Sequence, residues 1–289
     1  MNIALTGSSG LIGSQLLKDL RNMGHQVLCI SSSFSSHEEN CYLYEELNSN
    51  NINFKADFMV HLASINSNLG ELEMPLEIEL MQKVIDSMKV LKCKNMIFFS
   101  SIKVYGDNSF ESILIDENFP QNPKCFYGKA KVECEKVLIE TSIQQNFNYL
   151  ILRLPPVLIN HPKSNLGKLF QLVERGFPIP SFKVGDLNKR SFLNYDFLIY
   201  AMKKFLTKKE IFYSEVFNLA DSNPISTNDL LRRFAKSINK QSRIIYLPNF
   251  LFQAMIRINR LQLILCRLFG NFYISNSKLR EAFKLPKNF

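Results

Sequence analysis

Tyr127 and Lys131 stand four residues apart at the start of a stretch with helical patterning, so both side chains share one face. That spacing alone is weak evidence. A chain with 10 tyrosines and 24 lysines yields roughly one such pair by chance, and Tyr200 with Lys204 is a second. What sets the first pair apart is Ser100-Ser101, which closes an apolar, strand-like run some 26 residues earlier. A hydroxyl, a phenol and an ammonium together suit proton transfer at an alcohol carbon. A free phenol, with a pKa of about 10, is only about 0.1% ionised at neutral pH, so use as a base requires roughly 4 kcal/mol of help from nearby positive charge. Lys131 is one source of it.

A second source would be a nicotinamide ring, and the N-terminus carries a loop suited to its dinucleotide. Thr6-Gly7-Ser8-Ser9-Gly10-Leu11-Ile12-Gly13 lies between an apolar strand at Asn2 to Leu5 and a helix at Leu11 to Met23. In that context glycines permit a tight turn, close approach of phosphate to backbone N–H groups, and packing of helix on sheet, with the pyrophosphate at the positive helix end. The phenolate would take the proton from a sugar hydroxyl while hydride leaves the same carbon, and Ser101 would hydrogen-bond the reacting oxygen. An acidic residue after the second strand would favour NAD over NADP. Here the strand runs into Ser31-Ser32-Ser33, with no Asp or Glu before Glu38 and no Arg for a 2′-phosphate. The serines can serve either cofactor, with a slight lean to NADP.

The elements that must position these groups follow from the apolar patterning. Strands are expected at Gln26 to Ile30, Phe58 to Leu62, Met96 to Phe99 and Tyr149 to Leu152, and helices at Pro75 to Leu91 and Lys129 to Ile143. Strand and helix in alternation predict an α/β, Rossmann-like doubly wound parallel sheet. After Arg153 prolines cluster, and helices at Asn165 to Arg175, Thr227 to Ile238 and Leu251 to Phe269 predict a smaller, mostly helical C-terminal substrate domain. The expected division is a cofactor-binding domain at 1–155, with a returning segment around 186–206, and a mainly substrate-binding domain at 156–289.

Composition narrows the class. The 289 residues are 46% hydrophobic, enough for a sizeable core. Six cysteines without metal-ligand spacing are expected as reduced thiols in the cytoplasm, and no metal site is expected. Met1 leads directly into the first strand, which predicts no export signal, and arginines at 257, 260 and 267 break the C-terminal apolar runs below spanning length. Residues 1–150 carry 12 Lys+Arg against 18 Asp+Glu, and 151–289 carry 23 against 8. The basic half suits anionic partners. Without interleaved aromatic and basic motifs, nucleic acid is not expected among them.

With these residues in place the chain resembles an extended short-chain dehydrogenase/reductase of the nucleotide-sugar epimerase/dehydratase group. The resemblance runs nearly end to end, through Thr6 to Gly13, Asp57-Phe-Met-Val-His61-Leu62-Ala63-Ser64, Ser100-Ser101-Ile102-Lys103-Val104-Tyr105-Gly106, Tyr127-Gly-Lys-Ala-Lys131 and Leu152-Arg153-Leu-Pro155-Pro156. It implies Ser101, rather than Ser100, as the catalytic serine with Tyr127 and Lys131. It also implies cofactor contacts at Gly7, Ser9, Gly10, Leu11, Ile12, Gly13, Ser31, Ser32, Leu62, Ala63, Ser64, Tyr127, Lys131 and Pro155. The second half, through Asn165 to Gly176, Asn188 to Ser191, Ser226 to Arg233 and Ser275 to Leu285, is similar to a bacterial surface-polysaccharide branch of 4-epimerases and 4-ketoreductases. By that likeness Asn165 and Arg190 touch the substrate diphosphate, where a guanidinium suits phosphate oxygens. Departures from the pattern are Glu77 and Leu80 where relatives carry Asn and Gly, His161-Pro162 in place of a Tyr-Gly-Pro-Gly loop, and no evident adenine contact near Tyr42 to Glu45.

The implied activity is an NAD(P)-dependent 4-ketoreductase or 4-epimerase of a nucleotide sugar, of UDP-N-acetylhexosamine type, in lipopolysaccharide O-antigen synthesis. The two reactions use the same side chains; the serine segment and missing acid tilt the reading slightly to the reductase. The resemblance implies a homodimer through the helices at Pro75 to Leu91 and Lys129 to Ile143. A further alternative places the apolar, arginine-punctuated stretch Asn249 to Phe269 on an anionic membrane, with a polyprenyl-diphosphate sugar as substrate. A non-catalytic cofactor sensor is the rival from another class, and it would have no use for the Ser101, Tyr127 and Lys131 set.

Overall fold

Residues 1–33, 40–49, 52–65, 69–159, 165–207 and 214–286 are described by a computed structural model. Its central strands are apolar at successive positions because both faces of the sheet are covered. In β1 (Asn2–Thr6), Ile3 and Leu5 enter one core while Ala4 enters the other. The same alternation runs through β4 (Phe58–His61), β5 (Asn95–Ser101) and β7 (Asn148–Leu154): Phe58, Val60, Ile97, Leu150 and Leu152 face one way, and Met59, Met96, Phe98 and Ile151 the other. On the first face lie α1 (Leu11–Asn22), α6 (Tyr195–Thr207) and α10 (Ser277–Phe283), through Leu16, Leu20, Phe197, Phe205 and Phe283. On the second lie α3 (Met74–Val90) and α4 (Phe126–Gln145), through Met81, Val84, Ile85, Cys134 and Leu138.

Adding β2 (Gln26–Ser31), β3 (Cys41–Leu43) and β11 (Glu215–Asn218) gives seven parallel strands in the order β11-β7-β5-β4-β1-β2-β3. A one-turn α2 (Glu46–Ser49) follows β3. The expected doubly wound sheet is therefore present. Strand order reverses between β1 and β4, and the crevice beyond their carboxyl ends is where ligands bind in open α/β sheets.

The remaining elements sit beyond that end of the sheet. Short parallel pairs join β6 (Leu114–Ile115) to β13 (Tyr273–Ile274), β8 (Val157–Leu158) to β10 (Leu193–Asn194), and β9 (Ile179–Ser181) to β12 (Ile244–Tyr246). Helix α5 (Asn165–Glu174) packs on α7 (Thr227–Ser237), with Phe170 and Phe234 stacked at 3.9 Å. Ser226 caps α7 by accepting from the Asp229 N–H at 3.0 Å.

The single helix expected at Leu251 to Phe269 is instead two, α8 (Asn249–Ile256) and α9 (Asn259–Phe269), with Ile258 extended between them. Packing explains the break. Phe252 and Phe269 both set their rings edge-on against Phe182, whereas a straight helix would carry them about 25 Å apart.

One buried ionic network ties α4 to the sheet. Arg153 of β7 donates through Nε and Nη2 to the two oxygens of Glu135 at 3.1 and 2.6 Å, and through Nη1 to the Tyr105 hydroxyl at 2.9 Å. Ser100 and Gln121 also donate to Glu135. Both charges are nearly inaccessible. Removing one partner of such a pair strands the other, so Arg153→Met is expected to cost about 3–5 kcal/mol, with much of it recovered in Arg153→Met/Glu135→Leu. Denaturant midpoints of the single and double variants check this; equal midpoints for Arg153→Met and the parent would refute it.

Candidate active site

The first wall of the site is the loop after β1. Gly7 has φ +78, and a Cβ there would lie 2.6 Å from the Ala63 nitrogen; a Cβ on Gly13 would lie 2.0 Å from the Gly7 carbonyl oxygen. The loop therefore lies flat between the start of α1 and the segment leaving β4. No side chain caps α1 and no acidic residue stands in its first turn, so its positive end is open to an anion. Across the loop, the Ser64 hydroxyl is buried without a hydrogen-bond partner among the described residues. Such a group is costly to leave unmatched, which marks a place for a polar ligand atom.

The second wall joins the end of β5 to the start of α4. A Cβ on Gly128 would lie 2.5 Å from the Lys103 carbonyl oxygen, so the glycine lets the first turn of α4 close onto the short helical turn at Ile102–Val104. This closure brings the Ser101 and Tyr127 segments to one cavity. Ser100 donates to Glu135 Oε1 at 2.5 Å, while among the described residues the Ser101 hydroxyl accepts only the local Lys103 N–H at 3.2 Å. Of the two, Ser101 retains a hydroxyl hydrogen for a ligand.

Lys131 lies one turn behind Tyr127, its Nζ 5.6 Å from the Tyr127 ring centroid and 5.0 Å from that of Phe98. It is paired with Glu77 Oε1 at 2.9 Å. Burial opposes its charge, but the neighbouring Tyr127 and Glu77 outweigh burial and hold the ammonium above its ordinary pKa. His61, hydrogen-bonded to Thr6 Oγ1 at 2.7 Å and stacked on Phe98, is driven well below the usual imidazole range by burial and by Lys131.

At the far end stands Arg190, whose backbone is bridged to Ile225 and Phe272. Its guanidinium makes no ion pair among the described residues, its one hydrogen bond there being a long contact with the Leu268 carbonyl at 3.5 Å, and burial draws its pKa down. The guanidinium lies over the Phe192 ring at 5.5 Å, and a half-buried cation with no carboxylate beside it favours an anionic ligand in the cavity it lines.

One cavity of about 400 Å³ is lined by Gly7, Gly10, Leu11, Ile12, Gly13, Leu62, Ser64, Ser101, Tyr127, Lys131, Pro155 and Arg190 together. Among the other expected residues, Ser9 and Ser32 are exposed and outside this lining. The Ser31 hydroxyl is turned to the Ser33 carbonyl at 2.8 Å, and Ala63 backs Gly7 instead of lining the cavity. Asn165 opens α5, but its side chain lies outside the described residues, as do His161-Pro162 and Glu38. Tyr200 and Lys204 lie together on α6, away from this cavity.

Sequence reasoning missed the partners of the chemical groups. Gly128 and Arg153 stood inside the motifs and Glu135 inside the expected helix Lys129 to Ile143, where its i+4 spacing from Lys131 was a signal for a second inward charge. Asn108 and Phe272, which also line the cavity, carried no signal.

The profile of the NAD dependent epimerase/dehydratase family matches residues 3–220, and the chain belongs to that family. It is 25% identical over 303 residues to a UDP-glucose 4-epimerase of Vibrio cholerae, covering 97% of this chain and 89% of that protein. It is 28% identical over 167 residues to the N-acetyl-alpha-D-glucosaminyl-diphospho-ditrans,octacis-undecaprenol 4-epimerase of Escherichia coli O157:H7, covering 58% of this chain and 49% of that one. The fold is similar to that of a UDP-N-acetylglucosamine 4-epimerase from Bacillus cereus, with a TM-score of 0.77 at 18% identity over 100% of this chain and 92% of that one. It is also similar to a UDP-glucuronic acid 4-epimerase from Bacillus cereus in complex with NAD, with a TM-score of 0.74 at 19% identity over 100% and 94%. The glycine cradle, the open positive end of α1 and the unmatched Ser64 hydroxyl fit the NAD that the family name implies.

A methyl group on residue 128 would press on backbone at Lys103, so Gly128→Ala is expected to cost about 1–3 kcal/mol by overpacking. A thermal or denaturant midpoint unchanged from the parent would show that this contact does not hold the two segments together.

Proposed function

We propose that the chain is an NAD-dependent 4-epimerase of a UDP-activated sugar, with Tyr127, Lys131 and Ser101 at the reacting carbon. The observation that carries this reading is one cavity lined together by the glycine loop, those three residues and Arg190, which has no ion-pair partner among the described residues. When bound, NAD supplies the hydride acceptor and donor. Its pyrophosphate would rest on the loop from Gly7 to Gly13 and its ring face Leu62, Ser64, Lys131 and Pro155. The Tyr127 phenolate, stabilised by Lys131, takes the proton from the sugar C4 hydroxyl as hydride leaves C4, and the resulting phenol gives the proton back when hydride returns, while Ser101 donates to the reacting oxygen. Arg190, with Asn165, would hold the substrate diphosphate.

The names of the relatives favour isomerisation over the ketoreduction to which the missing acidic residue leaned, and NAD over NADP. A UDP-N-acetylhexosamine is the proposed substrate type, and bacterial surface polysaccharide the proposed product class. Residues 1–155 with the return at 186–206 would form the cofactor unit and 156–289 the substrate unit. The enzyme would be cytoplasmic, consistent with six cysteines none of which forms a disulfide. It would be a homodimer through α3 and α4, whose outer sides leave Leu76 and Ile143 exposed.

A second reading, in which the sugar diphosphate hangs on a polyprenyl carrier, draws on α8 and α9. These helices expose Phe250, Leu263 and Ile264 and their junction exposes Ile258, and residues 249–269 contain three arginines and no acid. No helix among the described residues is long and apolar enough to cross a membrane. An arginine-rimmed apolar face lies on a bilayer surface instead. Cys266 and Arg267 contact Asn108, which lines the cavity, so such a face would adjoin the site.

Two experiments test these readings. Purified protein should carry bound NAD and interconvert the C4 epimers of UDP-N-acetylhexosamine without net cofactor turnover, and Tyr127→Phe should slow this about 10³-fold. Stoichiometric NADPH consumption with a 4-keto sugar would replace the epimerase by a reductase, and intact biological activity in Tyr127→Phe would favour the sensor. Phosphatidylglycerol vesicles should sediment the protein at low salt, with about 100-fold weaker binding after replacing Arg257, Arg260 and Arg267 together by Gln. No sedimentation at any salt would remove the membrane reading.

A further inference from the structure

Lys131 reaches the cavity through an interior position: its side chain is 2% exposed and that of Glu77 is 1% exposed. An ammonium so deeply buried needs an anion beside it. Glu77, reaching in from α3, provides that anion at 2.9 Å with Oε1. Its Oε2 accepts the Ile65 N–H at 2.8 Å. One carboxylate thus grips both the lysine and the chain segment that carries Ser64.

We infer that Glu77 is a positioning residue, the fixed counter-ion that orients Lys131 and sets the pH at which the Tyr127–Lys131 pair gives up its first proton. The inference rests on the roles proposed above for those two residues. The groups facing Lys131 are few. Helix α4 brings Tyr127 and Cys134, α3 brings Glu77, β4 brings His61 and β5 the uncharged Phe98. Burial pushes the Cys134 thiol up to about 12, so it stays neutral. His61 stays neutral in the opposite sense, its cationic form suppressed by burial and by Lys131. Glu135, the next acid along α4, is held by Arg153. Glu77 is therefore the one carboxylate paired with the ammonium among the described residues.

The sign of its effect follows from charge alone. With the carboxylate present, the protonated phenol and ammonium form a neutral buried group, and loss of a proton leaves net negative charge behind. With a neutral amide at residue 77 the same group starts with an uncompensated positive charge, which loss of a proton relieves. While Lys131 keeps its proton, the phenol then gives up its own at lower pH, because one negative charge fewer faces it.

The test is a pH titration of cofactor-free protein, following tyrosinate absorption in the near ultraviolet against a Tyr127→Phe blank, together with the pH profile of turnover. Glu77→Gln is expected to move the titration midpoint and the acid limb of turnover down by about one pH unit. Glu77→Asp, which keeps the charge, should leave both near their original positions. A merely structural role would lower activity without moving either. Coincident midpoints for folded Glu77→Gln and wild type, or a movement upward, would overturn the inference. If Glu77→Gln does not fold, Glu77→Gln/Lys131→Met removes both charges, and its thermal midpoint should recover toward wild type; failure to recover would equally overturn the pairing. Because the titration uses no sugar, a shifted midpoint in a protein that epimerises nothing would defeat the proposed activity and leave this inference standing.

Discussion

Charge brought into a protein interior must be matched there, and α4 carries two such charges on successive turns. Lys131 and Glu135 are of opposite sign and four residues apart, a spacing at which they could satisfy each other. Instead each is matched from a different element, Lys131 by Glu77 of α3 and Glu135 by Arg153 of β7. The helix is thereby fastened on two sides. With the net stability of a domain only about 5–15 kcal/mol, two buried pairs are a large constraint on where its first turn can lie. That first turn holds Tyr127, and Gly128 lets it close onto the backbone beside Ser101.

The topology then decides what meets the phenol. The order in which strands are added reverses between β1 and β4, and β5 lies immediately beside β4. The glycine loop leaves β1, the Leu62–Ser64 segment leaves β4 and the serine pair ends β5, so three neighbouring strands deliver their chemistry to one end of the sheet. Positive potential enters from both ends of the cavity, from the α1 terminus at one and Arg190 at the other, with a hydroxyl-bearing middle. A ligand with phosphates at its extremes and an alcohol between them suits this distribution. The basic excess of the second half of the chain extends the same preference outward.

What was legible in the sequence was local. The glycine loop announces itself because its requirements fall within eight residues, between a strand and a helix. The alternation of apolar runs gave away the parallel sheet for the same reason, since each strand carries its own burial pattern. Tyr127 and Lys131 needed only helical spacing and a serine-ended strand. Contacts across long separations were silent. Glu77 could be seen as an unexpected residue type, but nothing local says that it pairs with a lysine 54 positions away. Ser31 and Ser32 looked like ligand groups because the ends of second strands often hold ribose; a hydrogen bond two residues along the chain occupies the hydroxyl of Ser31. The break between α8 and α9 was invisible because its cause is Phe182, a residue from a different part of the chain.

The edge strand β11 has a consequence for how the molecule comes to exist. It pairs with β7 in register from Glu215 to Asn218, and α6, which precedes it, fills the face of the sheet beside α1. During synthesis the ribosome must pass residue 218 before the β7 edge finds its neighbour, and α10 arrives later still. Until then an apolar strand edge and an apolar face stay open to unwanted association. Completion of the sheet and of its first face is therefore deferred until most of the C-terminal half of the chain has emerged.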